Sequence, residues 1–273
     1  MPTTQTRDGT TIHYKVMGHG APVILIHGWP LTGDMWEYQT VALVEAGYQV
    51  ITYDRRGFGH SSHPAHGYDY DVFADDLADL IDHLELPRVS LVGFSMGGGE
   101  VARYLTRHGA QRIARAVLVS SVVPFLLKTD DNPDGVEEHV LADMQAEVRK
   151  DRFGFLQTFA KQFYGVGWVT SPVSQGLLDW SFALGIMASP LATIACIDAF
   201  GRTDFRPDLA SFTVPTLVIH GTSDKTVVID ATGRAAAAGI AGAQLIEYEG
   251  EPHGLFATAA DRLNADLVSF LRG

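Results

Sequence analysis

The chain has 273 residues, 46 % of them apolar, and its 20 basic against 32 acidic residues leave a formal charge of −12. Length and apolar content suffice for one large buried core and exclude a disordered chain. The acidic balance disfavours nucleic acid and anionic membrane surfaces as partners, and no apolar run approaches the roughly 20 residues that span a bilayer.

In chain order, the amino-terminal "MPTTQTRDGTTIHYKV" is polar and lacks the apolar block of a signal peptide, so the chain reads as cytoplasmic. Apolar runs follow at residues 21–28 ("APVILIHG"), 48–54 ("YQVITYD"), 88–95 ("RVSLVGFS"), 114–122 ("ARAVLVSSV"), 215–221 ("PTLVIHG") and 244–250 ("QLIEYEG"). Near-continuous Val/Ile/Leu runs suit parallel strands covered on both faces. Helical periodicity occupies 71–84, 97–109, 230–240 and 257–271. This alternation predicts an α/β fold with a mostly parallel, doubly wound sheet, whose sites gather at the carboxyl ends of the strands.

The pattern breaks between 123 and 210, where "DRFGFLQTFAKQFYG" and "GLLDWSFALGIMA" are aromatic-rich helical segments with no buried strand between them. We therefore expect a helical cap over 123–210 and a core built from 1–122 and 211–273. The lone Cys196 allows no intrachain disulfide, and no Cys/His cluster has zinc spacing, which points to a reducing compartment and to no metal centre.

One corner carries chemistry. In "LVGFSMGGGEVARYL" the chain passes from a buried strand into a helix with almost no room to turn, and Ser95 sits at the turn. Such a bend drives the serine backbone toward positive φ and crowds its neighbours, so the residues two before and two after must be small; Gly93 and Gly97 meet that need. The helix amino end offers free N–H groups and partial positive charge to a developing oxyanion.

A serine nucleophile needs a base, and the base an orienting acid. His253, in "EGEPHGLF", follows the last predicted strand, and Asp224, in "HGTSDKTVV", follows the strand before it, both at the carboxyl edge. Ser95, Asp224 and His253 thus occur in the order nucleophile, acid, base. His13, His19, His60, His63, His66, His83, His108 and His139 read as solvated, and His220 as a hydrogen-bonded structural residue. His27 ends a strand in "HGWP", which can lay the next backbone over the sheet edge. The N–H groups of Trp29 and Met96 are therefore the expected oxyanion hole; Pro30 has no N–H to give.

Taken together, "HGWPL", "MWEYQ", "YDRRGFGHSS", "YDYDVFADDL", "LVGFSMGGGEVARY", "DDNPDGV", "TDFRPDL", "PTLVIHG" and "PHGLF" resemble the α/β-hydrolase superfamily. More narrowly they resemble the bacterial cofactor-free haloperoxidases or perhydrolases, the related arylesterases and a γ-lactamase. The resemblance covers nearly the whole chain. It implies a Ser95, His253, Asp224 triad with Trp29 and Met96 at the oxyanion hole, and ester hydrolysis through an acyl-enzyme without any cofactor. It also implies that hydrogen peroxide can replace water in deacylation, giving a peracid that oxidises halide, and that the protein assembles as a trimer or a multiple of one. Small esters or acids and hydrogen peroxide are then the partners, and amides, lactams or lactones the alternative substrates of the same triad. A non-catalytic binding protein of this fold is a further alternative, while an aspartate-nucleophile dehalogenase or epoxide hydrolase is excluded by Ser95.

Pro30, Phe159 and Phe163 are the candidate pocket residues. Pro30 restricts the Trp29 backbone and can set where a nearby carbonyl points toward peroxide. Two departures from the family pattern stand out. Val227-Val228 replaces the usual Val-Pro after the acid, and Glu251 replaces a small residue two positions before His253, where a nearby carboxylate would favour the imidazolium.

Overall fold

The computed structural model describes residues 2–168 and 170–273. Its strands are β1 (Thr3–Gln5), β2 (Thr11–Met17), β3 (Ala21–Ile26), β4 (Tyr48–Tyr53), β5 (Val89–Phe94), β6 (Ile113–Val119), β7 (Thr216–Gly221) and β8 (Gln244–Tyr248). They form one sheet in the order β1-β2-β4-β3-β5-β6-β7-β8. The six apolar runs supply β3 to β8, which pair in parallel throughout.

Period-two alternation explains how the sheet is covered on both faces. Ile24, Ile26 and Leu91 enter one apolar layer with Phe73 and Leu77, while Val23, Leu25 and Val92 enter the other with Trp36 and Phe256. β5 is buried at every position, as a central strand between two layers must be.

The helices are α1 (Glu37–Glu45), α2 (Tyr70–His83), α3 (Met96–His108), α4 (Glu138–Phe163), α5 (Gln175–Ile186), α6 (Pro190–Arg202), α7 (Ala235–Gly239), α8 (Leu255–Thr258) and α9 (Ala260–Arg272). Their starts follow local chemistry. Asp69, Ser174 and Ser189 accept from Val72, Leu177 and Ala192 N–H groups, capping α2, α5 and α6. The chain between β6 and β7 carries α4, α5 and α6, with α4 packed on both others and bent at Asp151, whose φ is −153° and ψ 85°.

Two elements escaped the sequence reading. The β1–β2 hairpin pairs antiparallel with itself and with β4 at the sheet edge, and its Thr, His and Lys residues hide the alternation that buries Ile12 and Tyr14. Helix α1 turns Gln39, Thr40 and Leu43 inward, and Gln39 Nε2 donates to the Phe256 carbonyl at 2.9 Å. Its buried face is therefore mostly polar and carries little apolar periodicity. The helix expected at 230–240 opens with a wide turn in which Arg234 N–H reaches the Ile229 carbonyl at 2.9 Å, and the one at 257–271 divides at Ala259 into α8 and α9.

One histidine assignment is corrected: His13 is 3 % exposed rather than solvated, because β2 is roofed by the loop that follows β4.

Candidate active site

Ser95 joins β5 to α3 with φ 53° and ψ −119°, a left-handed geometry that costs a non-glycine residue of order 1–3 kcal/mol. Its surroundings hold it there. A Cβ on Gly93 would lie 2.4 Å from the Gly97 carbonyl oxygen, and one on Gly97 would lie 2.5 Å from the Ile26 carbonyl oxygen. Strand, serine and helix are thus too close for any side chain at either glycine. The Ser95 N–H donates to the Val119 carbonyl at 2.9 Å, which ties the corner to β6.

Three side chains from three carboxyl-edge loops meet at this corner. His253 Nε2 lies 3.0 Å from Ser95 Oγ, and His253 Nδ1 lies 2.6 Å from Asp224 Oδ2. The other carboxylate oxygen of Asp224 accepts the N–H groups of Thr226 and Val227, both at 2.8 Å. His220 Nε2 stands 3.2 Å from Asp224 Oδ2 and donates to the Val227 carbonyl at 2.9 Å. Burial alone would raise the pKa of Asp224. The charge of His253 and the hydrogen bonds of His220 and His253 override it and hold the carboxyl well below the usual carboxylate range. Rings of Phe94 and Phe163, each with its centroid 4.9 Å from that of His253, fix the imidazole from two sides.

Met96 opens α3, so its N–H is one of the helix-terminal donors with no intrahelical acceptor. Among the described residues the Trp29 N–H has no hydrogen-bond acceptor either. Beneath these two donors runs a buried polar network that the sequence reading missed. Arg55 donates from Nη2 to the His27 carbonyl at 2.9 Å, from its backbone N–H to His27 Nε2 at 3.0 Å, and from Nε to Glu100 Oε2 at 2.7 Å. Tyr53 donates to Glu100, and Tyr70 to the Met96 carbonyl at 3.0 Å. Burial pushes the Glu100 carboxyl up and the Arg55 guanidinium down to about 10, the opposition expected when an ion pair leaves water. The available signal was a glutamate inside the "GGGEVARYL" helix, on the face that meets the sheet.

Ser95 and His253 open into a cavity of about 330 Å³. Trp29, Leu126, Met144, Phe155, Phe159 and Val227 line it, with the exposed Asp143, Glu147 and Lys225 among its remaining walls. Trp29 is held by a 3.0 Å bond from Nε1 to the Thr193 carbonyl and packs against Phe155, Phe159 and Phe200. Of the three candidate pocket residues, Phe159 lines this cavity. Pro30 and Phe163 line a separate void of about 20 Å³ beside it, in which Phe159 forms the shared wall. The carboxylate of Glu251 is held away from direct pairing with the imidazole. Its carboxylate accepts from Thr258 on α8 at 2.5 Å, and among the described residues it is no hydrogen-bond or ion-pair partner of His253.

Residues 21–260 match the family model described as alpha/beta hydrolase fold. The non-heme chloroperoxidase CPO-A1 of Kitasatospora aureofaciens is 46 % identical over 273 residues, covering 99 % of each chain. The bifunctional esterase/perhydrolase DCH of Acinetobacter calcoaceticus is 39 % identical over 98 % of each. Among solved structures, a bromoperoxidase from Bacillus anthracis superposes with a TM-score of 0.96 at 46 % identity, over the full length of both chains.

Proposed function

Because the chain belongs to the α/β hydrolase fold family, we propose that it is a serine esterase acting through an acyl-enzyme, with hydrogen peroxide as an alternative acceptor to water. One observation carries the reading. A serine at positive φ lies 3.0 Å from an imidazole whose other nitrogen lies 2.6 Å from a buried carboxylate, and the serine faces an apolar cavity.

Ser95 Oγ attacks the ester carbonyl while His253 Nε2 takes its proton, and Asp224 keeps Nδ1–H oriented and offsets the charge on the ring. The Trp29 and Met96 N–H groups receive the oxyanion. Collapse expels the alcohol, which takes the proton from His253. Water or hydrogen peroxide then adds to the acyl carbon and gives its proton to His253, and Ser95 Oγ leaves with that proton. The product is a carboxylic acid or, with the peroxide O–O bond retained, a peracid that oxidises halide. The helical segment 123–210 acts as the cap that closes the apolar side of the cavity. A buried Cys196, its thiol pushed up to about 12 by burial, fits a protein that uses no thiol chemistry and works in the cytoplasm.

The test is the partition of one acyl-enzyme. Metal-free protein is given p-nitrophenyl acetate, and separately acetate with hydrogen peroxide, beside Ser95→Ala. Ester turnover and peracid that both vanish in the variant support the reading. Ester turnover without peracid leaves a plain esterase, and turnover that survives Ser95→Ala overturns the reading altogether.

A further inference from the structure

We propose that His13, Asp54 and His60 form a binding site for a divalent first-row transition ion, zinc fitting best, outside the Ser95 cavity. The three residues come from β2, the end of β4 and the loop beyond it. Their ligand atoms all lie within 4.8 Å of one another. No spacing along the sequence announces such a set, because tertiary pairing of β2 with β4 creates it.

The distances suit a ligand set as well as a loosely hydrogen-bonded cluster. Between His253 Nδ1 and the Asp224 carboxylate the gap closes to 2.6 Å. His13 Nδ1 and His60 Nδ1 both stop 3.3 Å from the same oxygen, Asp54 Oδ2. That separation is at the long limit of a hydrogen bond, which His60 makes with Asp54. It equals the edge of a tetrahedron whose centre lies about 2.0–2.1 Å from each corner, the bond length of zinc to imidazole nitrogen and carboxylate oxygen. The two imidazole centroids are 4.9 Å apart, so both rings border the same small space.

The carboxylate is already aimed. Asp54 Oδ1 accepts the Gly33 N–H at 2.9 Å, and Oδ2 accepts the His60 N–H at 2.8 Å, the outer-shell bonding that orients a ligating carboxylate. His13 is 3 % exposed, and among the described residues its buried Nε2 has no hydrogen-bond partner. On its Nδ1 side the ring faces Asp54. His60, with 39 % of its side chain exposed, gives access from solvent and leaves the fourth position for water.

The ion would join segments that are already laced together. His13 N–H donates to Ser61 Oγ, Asp54 N–H to the His13 carbonyl and Ser62 N–H to the Thr11 carbonyl, each at 2.9 Å. Its effect is therefore to fasten the edge hairpin to the loop that begins with Arg55, and it stands independently of any role for Ser95.

Chelator-treated full-length protein is titrated with Zn²⁺ by calorimetry and with Co²⁺ by visible absorption, beside His60→Ala and His63→Ala. His60 and His63 are both exposed, so both variants retain the fold. One ion per chain, absorption of four-coordinate cobalt, a raised thermal midpoint and an affinity loss of at least about tenfold in His60→Ala alone support the site. No zinc binding above that of His60→Ala, or equal losses in both variants, overturns it and leaves only scattered surface histidines as binders.

Discussion

The corner after β5 and the helices between β6 and β7 build opposite walls of one cavity by different means. At the corner, backbone sets everything. Ser95 is pinned by its N–H bond to Val119 and by two glycines whose every substituent would strike a carbonyl, and Asp224 is pinned by two backbone N–H donors. On the helical side, Leu141, Met144, Phe155 and Phe159 contribute only shape and apolar surface. The comparison teaches where tolerance lies: proton transfer fails when a group moves by an ångström, whereas an apolar wall can be recut and still exclude water.

Five measurements sharpen that contrast. Asp224→Asn should lower kcat about 10⁴-fold, since an amide no longer holds His253 Nδ1–H in the required tautomer, while the circular dichroism stays native. The same residue contributes to stability with a definite sign. Its folded pKa lies below the unfolded one, so the contribution is fully present above about pH 4 and is lost as pH falls toward the folded value. The wild-type advantage over Asp224→Asn in urea unfolding should therefore shrink in acid.

Glu100→Ala should cost about 3–5 kcal/mol of unfolding free energy, because it strands a buried Arg55 under the proposed oxyanion donors. Glu147→Ala, on the exposed rim of the helical wall, should stay within about 0.5 kcal/mol in the same urea titration. Equal costs would erase the distinction between the two walls.

Phe159→Ala should change the ratio of kcat/KM for aryl against acetyl esters about tenfold, leaving acyl-enzyme formation from acetate esters largely intact. An unchanged ratio would show that Phe159 only packs. The smallest effect is expected of Pro30→Leu, which frees the backbone at Trp29 and should lower the ratio of perhydrolysis to hydrolysis by a few fold. A ratio that holds would assign Pro30 to packing of the minor void that it lines.

Much of the molecule was legible in its one-dimensional pattern. Apolar runs announced β3 to β7, since a strand covered on both faces leaves few polar positions to interrupt it, and the run at 244–250 announced β8 at the sheet edge. The serine corner was legible because steric exclusion acts between residues two apart in sequence, and glycines at 93 and 97 record that exclusion directly. His253 and Asp224 were legible from their place just beyond β8 and β7, at the edge where parallel strands deliver their loops.

Other features became visible only when distant segments met. The edge hairpin β1–β2 and helix α1 bury polar residues against partners far along the chain, so neither leaves a clean apolar period. Glu251 looked like a neighbour of His253 by numbering, yet its carboxylate accepts from Thr258, a partner that only the fold of α8 brings to it. The pairing of Arg55 with Glu100, and the approach of His13 and His60 to one oxygen of Asp54, depend on which strands lie side by side and in what register. Local sterics and periodicity are written residue by residue along the chain, whereas a meeting of charges across the sheet is decided by packing of the whole fold.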